Sequence, residues 1–186
     1  MDAFSYLSVL ISIILGLAIT QILQGLRGLV INRRQIVVYW PSVSWAGLLL
    51  LINVQSWWAM YGMRRRPEWT FVEFALVLLQ VTVLYMLAGL VLPDVQSNDR
   101  GNLKQHYYDQ SRWFYSLAVF MLVVSIVKDV VLNGGLPGTI NLAFHVLFAS
   151  AWTVAAVTRA ETYHRWIPLA MILSFGAYIG LLFARL

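Results

Sequence analysis

Four ionisable side chains lie within apolar segments of the chain, and they are the first candidates for chemistry. They are Glu73, Lys128, Asp129 and His145. Ionisable groups at membrane depth are costly and often mark a functional site. Neighbouring residues on a helix point in different directions, so Lys128 and Asp129 are not automatically a pair. Two interpretations compete: an ion, solute or proton site built from all four residues, or interfacial charges together with a hydrogen-bonded histidine.

Two amide side chains, Asn53 and Gln80, lie near the middle of successive apolar segments. Polar groups inside a bilayer need protein partners, because lipid offers none. Successive helices joined by a short link pack antiparallel, so these amides are expected to meet at mid-depth. A structural hydrogen bond between them would contribute on the order of 0.5–2 kcal/mol. The functional alternative is that the two amides form a polar constriction in a path for a solute or ion.

Several other chemistries lack support in the sequence. The chain has no cysteine, which excludes disulfides, thiol catalysis and thiolate metal sites. The histidines His106, His145 and His164 are too scattered for ligand spacing on one helix. No Gly-x-Ser-x-Gly motif is present, and no nucleophile–base pair can be read from the sequence. We therefore predict no catalytic residue, no metal and no cofactor.

The composition predicts the class of protein that holds these residues. The chain has 186 residues, of which 60% are hydrophobic and 11% are charged, whereas a soluble domain carries about 25% charged residues. Several apolar runs approach the roughly 20 residues needed to cross a bilayer as a helix. We predict an all-α polytopic membrane protein. Its net charge of +5 fits loop arginines that contact anionic lipid, and we predict no nucleic-acid partner.

The apolar runs predict a single transmembrane domain of six spans. Their approximate bounds are 4–30, 41–63, 69–92, 111–132, 139–159 and 166–184, with 93–110 as an extramembrane segment. Pro41 favours a helix start, because its missing N–H costs nothing in a first turn. Asn102 is expected to cap a helix that begins at Leu103 and continues into the fourth span. The first span is expected to be retained, because no basic residues precede it as in a signal peptide.

Six spans with short links place those links alternately at two ends of the bundle, here called side A and side B. Side A carries the links after spans 1, 3 and 5, whereas side B carries both termini and the links after spans 2 and 4. Basic residues favour side A by roughly two to one, and basic links tend to be cytoplasmic. We expect both termini to lie outside the cytoplasm, although Arg64-Arg65-Arg66 on side B opposes this orientation.

Small and polar residues recur at every fourth position of the first span. They are Ser8, Ser12, Gly16, Thr20 and Gln24, here called the small-residue ridge. Such a ridge lets another helix approach closely, and each four-residue step turns about 40° beyond a full turn. We therefore expect the first three residues to meet one helix, and the last two to face a second helix or a polar opening at side A. These contacts predict that helix 1 packs at the centre of the bundle.

Two local patterns resemble a known group of proteins. The stretch FSYLSVLISIILGL at residues 4–17, together with His106-Tyr107-Tyr108 and Arg112-Trp113-Phe114, is similar to a group of small bacterial polytopic inner-membrane proteins of unknown function. The resemblance implies a bacterial cytoplasmic membrane, in which termini outside the cytoplasm would be periplasmic. It also implies an unexplained role for residues 106–114, but no activity. The alternative for that segment is an interfacial amphipathic helix with Leu103, Tyr107 and Phe114 toward lipid.

Three classes of function remain open at this point. The ionisable set and the two amides favour binding or passage of an ion or small solute. The small-residue ridge favours a structural or assembly subunit that packs against a second copy or another membrane protein. No specific residue supports the third class, an enzyme acting on lipid. The expected partners are membrane lipids and a homo-oligomeric or other membrane-protein neighbour.

Overall fold

The protein is a bundle of six α-helices in a computed structural model that describes residues 3–66, 68–93 and 102–183. The helices are α1 (Ala3–Ile31), α2 (Trp40–Met60), α3 (Phe71–Val91), α4 (Leu103–Asn133), α5 (Thr139–Val157) and α6 (Glu161–Leu182), and a 3₁₀ helix, Tyr61–Arg65, follows α2. Each α-helix is long and apolar enough to cross a membrane. The predicted all-α, six-span class is confirmed, and the chain is a multi-pass membrane protein.

The ends of the helices follow from local side chains. Asn102 caps α4 as predicted: its Oδ1 accepts hydrogen bonds from the N–H groups of Lys104 and Gln105, which would otherwise lack partners in a first turn. The C-terminus of α4 ends at Gly134, whose φ of 71° favours glycine. Because α4 is continuous from Leu103, much of the predicted extramembrane segment is helical, and residues 94–101 lie outside the described part.

Helix α6 begins at Glu161, five residues before the predicted start at Trp166. The polar residues 161–165 suggested a link, yet they form the first turn of the helix. Glu161 pairs there with Lys104 of α4 at 2.8 Å, and an acidic residue suits a helix N-terminus.

The prediction that helix 1 lies at the centre is wrong. Within the described residues, α1 packs against α2, α3 and the 3₁₀ helix, whereas α2 contacts α1, α3, α4 and α6. The buried apolar side chains of α1 form one stripe at spacings of four, three, four and seven residues: Ile11, Leu15, Ala18, Ile22 and Leu29. A single stripe of this width buries one side of a helix, so α1 covers the edge formed by α2 and α3.

The small-residue ridge lies largely outside that buried stripe. Ser12, Gly16 and Thr20 are exposed, Ser8 is half-buried, and a Cβ added at Gly16 would meet no atom within 4 Å. The Thr20 hydroxyl donates to the Gly16 carbonyl of its own helix. Such a hydroxyl needs no neighbouring helix to satisfy it. The predicted contacts of these residues with other helices of this chain are therefore wrong.

Helices α2 to α6 form a closed set around a common centre. Successive contacts join α2 to α3, α3 to α4, α4 to α5, α5 to α6 and α6 back to α2. At side B, the indole N–H of Trp58 donates to the Phe183 carbonyl, which joins the ends of α2 and α6. At side A, the N–H of Leu103 donates to the Val37 carbonyl, which fixes the first link on the start of α4.

The side-A part of the core is an aromatic cluster around His164, which is fully buried. Its Nε2 lies 2.9 Å from the Thr158 carbonyl, which only accepts, so this nitrogen carries a proton. In the neutral ring Nδ1 then accepts from the Tyr107 hydroxyl at 3.0 Å. The Tyr107 hydroxyl is also hydrogen-bonded to that of Tyr115 at 2.5 Å. This chain of bonds joins α4 to the start of α6.

This cluster overturns the interfacial-helix alternative for the start of α4. Leu103, Tyr107 and Phe114 are only 1%, 7% and 6% exposed, so they face the bundle and not lipid. Tyr39, in the first link, stacks edge-on against Tyr107 with ring centroids 5.2 Å apart. Burial is the main reason that the pKa of the Tyr39 hydroxyl lies well above its usual range.

Candidate functional site

Two adjoining cavities lie at the centre of the ring formed by α2 to α6. The larger has a volume of about 170 Å³ and the smaller about 60 Å³. They share five polar lining residues, Gln55, Ser56, Gln80, Ser125 and Tyr178. Because these five side chains line both, the two cavities are described together and are here called the central cavity.

The central cavity lies toward side B. Its larger part is lined by Met60 at the end of α2 and Met63 in the 3₁₀ helix. Lys128 and Asp129 near the end of α4 and Phe183 after α6 also line it. These positions all lie at or near helix ends on side B. The charged residues of the central cavity, Lys128 and Asp129, therefore lie at this end.

The opposite, inner end of the central cavity is aromatic. Phe148 and Trp152 line the smaller part and are stacked with ring centroids 5.9 Å apart. Trp45 lies beyond them, 6.3 Å from the Trp152 ring and 5.5 Å from the Tyr115 ring. These buried rings separate the central cavity from side A.

His145 lines the smaller part of the central cavity and is held in a fixed orientation. Its Nδ1 lies 2.9 Å from the Asn141 carbonyl, and because a carbonyl only accepts, Nδ1 carries a proton. Its Nε2 lies 3.1 Å from the Ser125 hydroxyl, which donates to it when the ring is neutral. The histidine is thus hydrogen-bonded, as one interpretation expected, and it also lines a cavity, as the other expected.

Lys128 and Asp129 line the larger part of the central cavity. Although they are sequence neighbours, Lys128 Nζ lies 3.7 Å from Asp129 Oδ1. Their side chains are only 14% and 21% exposed, and the separation of their charged atoms is longer than an ordinary N–H···O hydrogen bond. Ion pairs removed from water are stable only when further hydrogen bonds satisfy the remaining donors and acceptors. This pair therefore has hydrogen-bonding capacity left for water or a solute.

Glu73 does not line the central cavity. Its carboxylate accepts hydrogen bonds from Arg66 at 2.6 Å and from the Thr70 N–H at 2.7 Å, and it completes a capping box at the start of α3. Arg66 also donates to the Leu132 carbonyl at the end of α4, at 2.6 Å. Glu73 is therefore part of a structural clamp between two helix ends, and its grouping with the other three ionisable residues was wrong.

The two mid-membrane amides do not meet. Gln80 lines both parts of the central cavity. Asn53 is fully buried, donates to the Leu49 carbonyl of its own helix, and its Oδ1 has no partner in the described part of the chain. Neither polar atom of the Asn53 amide is hydrogen-bonded to Gln80 in the described part of the chain, so the predicted amide pair is wrong.

Sequence reasoning missed several polar residues of the central cavity: Gln55, Ser56, Ser125, Asn141 and Tyr178. A detectable signal did exist, because Ser125 precedes Lys128 by three positions and such residues share one face of a helix. Gln55 and Ser56 likewise interrupt the apolar run of α2. Each is unremarkable alone, and only the packing of the helices shows that they converge.

A second cavity of about 170 Å³ lies between α1 and α3 toward side A, and its lining includes Gln21, Gln24 and Gly89. Gln24 thus faces a polar opening at side A, which is what was expected of that end of the ridge. Gln21 Oε1 is buried there without a hydrogen-bond partner among the described residues.

Comparisons with protein-family models, curated proteins and solved structures find no match to this chain. The resemblance to small bacterial inner-membrane proteins therefore stays a prediction, and any statement about function depends on the geometry of the chain itself.

Proposed function

We propose that the protein binds a small polar solute in the central cavity. The observation that carries this proposal is the convergence of Lys128, Asp129, Gln80 and the His145–Ser125 pair on two adjoining cavities that share five lining residues. Burying these polar groups would be costly in a purely structural bundle. A bound solute that completes their hydrogen bonds would offset that free-energy cost.

Solute enters from side B under this proposal, because Lys128 and Asp129 lie at that end. The basic-residue bias supports a periplasmic side B, so the protein takes its solute from outside a bacterial cytoplasmic membrane. Passage to side A requires movement of the aromatic rings of Trp45 and Trp152, and alternate opening of the two ends is how membrane transporters move solutes.

Cysteine accessibility tests whether water and solutes reach the central cavity. Because the natural chain has no cysteine, a single Ser56→Cys variant has one reactive thiol. We expect a small charged thiol reagent to modify it, because a thiol reacts as the thiolate, which forms readily only in contact with water. The matched control is Leu173→Cys, which is 75% exposed on the outer face of α6 and lies within a candidate span.

The expected result is modification of Ser56→Cys at least tenfold faster than modification of Leu173→Cys in the same vesicles. Equal rates would reject a water-filled central cavity, and with it the proposed binding site.

The second candidate function is assembly through α1, and the exposed small-residue ridge favours it. Gly16→Leu is expected to weaken a homo-oligomer, because small residues allow close helix approach. Gly180→Leu is the matched control, since a Cβ at either glycine meets no atom within 4 Å. Crosslinking in native membranes measures the oligomer, and an unchanged oligomer in Gly16→Leu would remove support for this candidate.

A further inference from the structure

We infer that the solute of the central cavity is a small zwitterion, with one ammonium group, one carboxylate and an apolar substituent. This inference rests on the proposed function and names the chemical class of ligand. Free hydrophobic α-amino acids have this chemistry.

The first argument comes from the charges. Among the described residues, Lys128 and Asp129 are the charged side chains that line the central cavity. Their charged atoms are 3.7 Å apart, which is longer than a hydrogen-bonded ion pair. A ligand carboxylate can therefore pair with Lys128 while its ammonium pairs with Asp129, and the four charges together sum to zero.

Singly charged ligands suit this arrangement less well. A cation would satisfy Asp129 but would place a second positive charge beside Lys128. An anion would likewise meet the carboxylate of Asp129. In a poorly solvated site such like-charge contacts are expensive, so the paired lining selects against both.

The neutral part of the lining supports the same class. Gln55, Ser56 and Gln80 each supply donors and acceptors, and none is hydrogen-bonded to another side chain in the described part of the chain. They can bind the ammonium and carboxylate of a ligand without adding net charge.

The second argument comes from the apolar end of the central cavity. The smaller part is lined by Leu48, Ile52, Met121, Phe148 and Phe175. Its volume of about 60 Å³ directly adjoins the charged part. A ligand that spans both parts has its charges at side B and an apolar side chain pointing toward the aromatic end.

Three related probes test the inference. L-leucine has both charges, 3-methylbutylamine is leucine without its carboxylate, and 4-methylpentanoate is leucine without its amine. Binding is measured with the full chain in nanodiscs of phosphatidylglycerol, so that no zwitterionic headgroup competes. We expect leucine to bind at least tenfold more tightly than either analogue.

Substitutions then assign the two charges. Asp129→Asn is expected to abolish the preference for leucine over 4-methylpentanoate, and Lys128→Gln to abolish the preference over 3-methylbutylamine. The matched control is Lys104→Gln, which removes a lysine from an exposed ion pair at side A and is expected to leave leucine binding unchanged. Circular dichroism confirms that each variant keeps its helices.

No leucine binding, equal binding of all three probes, or leucine binding that neither cavity variant changes would each overturn the zwitterion inference. The proposed function is judged separately by Ser56→Cys. If that thiol reacts rapidly and an analogue binds as well as leucine, the solute site stands and the zwitterion class falls. If the thiol is inaccessible, both fall.

Discussion

At the scale of single residues, the sequence predicts how deep in the membrane a side chain lies, but not toward which neighbouring helix it points. Lys128, Asp129 and His145 were identified because each interrupts an apolar run, and all three line the central cavity. Glu73 was identified by the same reasoning but caps α3. Which way a side chain points depends on neighbouring helices, and the sequence of one helix does not contain that information.

The structural role of Glu73 gives a prediction at this scale. Glu73→Gln is expected to lower the free energy of unfolding by about 1–3 kcal/mol, because Arg66 would lose a charge-assisted hydrogen bond in a largely buried position. Labelling of Ser56→Cys is expected to stay unchanged, since Glu73 does not line the central cavity. Denaturation in sodium dodecyl sulfate measures the stability.

Glu161→Gln is the control for that measurement. It removes the carboxylate from an ion pair whose side chains are 43% and 50% exposed, and such exposed pairs contribute little to stability. A larger loss from Glu161→Gln than from Glu73→Gln would contradict the structural assignment of the clamp.

At the scale of the helices, existence and approximate bounds followed from the apolar runs, and the Asn102 cap followed from residue type. The position of α1 could not be predicted by the same means. Small residues permit close approach but do not require it, and here the larger stripe through Leu15 and Ile22 makes the contact. Ser8 and Thr20 satisfy their hydroxyls within α1, so the ridge needs no neighbour.

The contact between α1 and α3 can be tested with two glycines of α1. A Cβ at Gly25 would lie 2.9 Å from Leu92 Cβ, close to the backbone after α3, so Gly25→Ala is expected to destabilise the bundle by about 1–3 kcal/mol. Gly16→Ala is the matched control, because the ridge is open there, and its effect is expected to stay within about 0.5 kcal/mol. Equal losses of unfolding free energy in the two variants would contradict the close contact between Gly25 of α1 and Leu92.

At the scale of the whole molecule, the two ends of the bundle differ in chemistry. Side A is closed by the hydrogen-bonded rings of Tyr107, Tyr115 and His164. Side B carries the Lys128–Asp129 pair and the larger part of the central cavity. Composition predicted a membrane protein. The difference in chemistry between side A and side B arises only when residues far apart in sequence meet, so it could not be predicted from the sequence.

The sidedness of Ser56→Cys modification tests the central claim most directly. A membrane-impermeant thiol reagent is added separately to right-side-out and inside-out vesicles. Val38→Cys in the first link reports side A and Leu136→Cys in the fourth link reports side B; both residues are exposed. We predict that Ser56→Cys reacts only in the vesicles in which Leu136→Cys reacts. Reaction together with Val38→Cys, or no reaction in either preparation, would contradict a solute site that opens to side B.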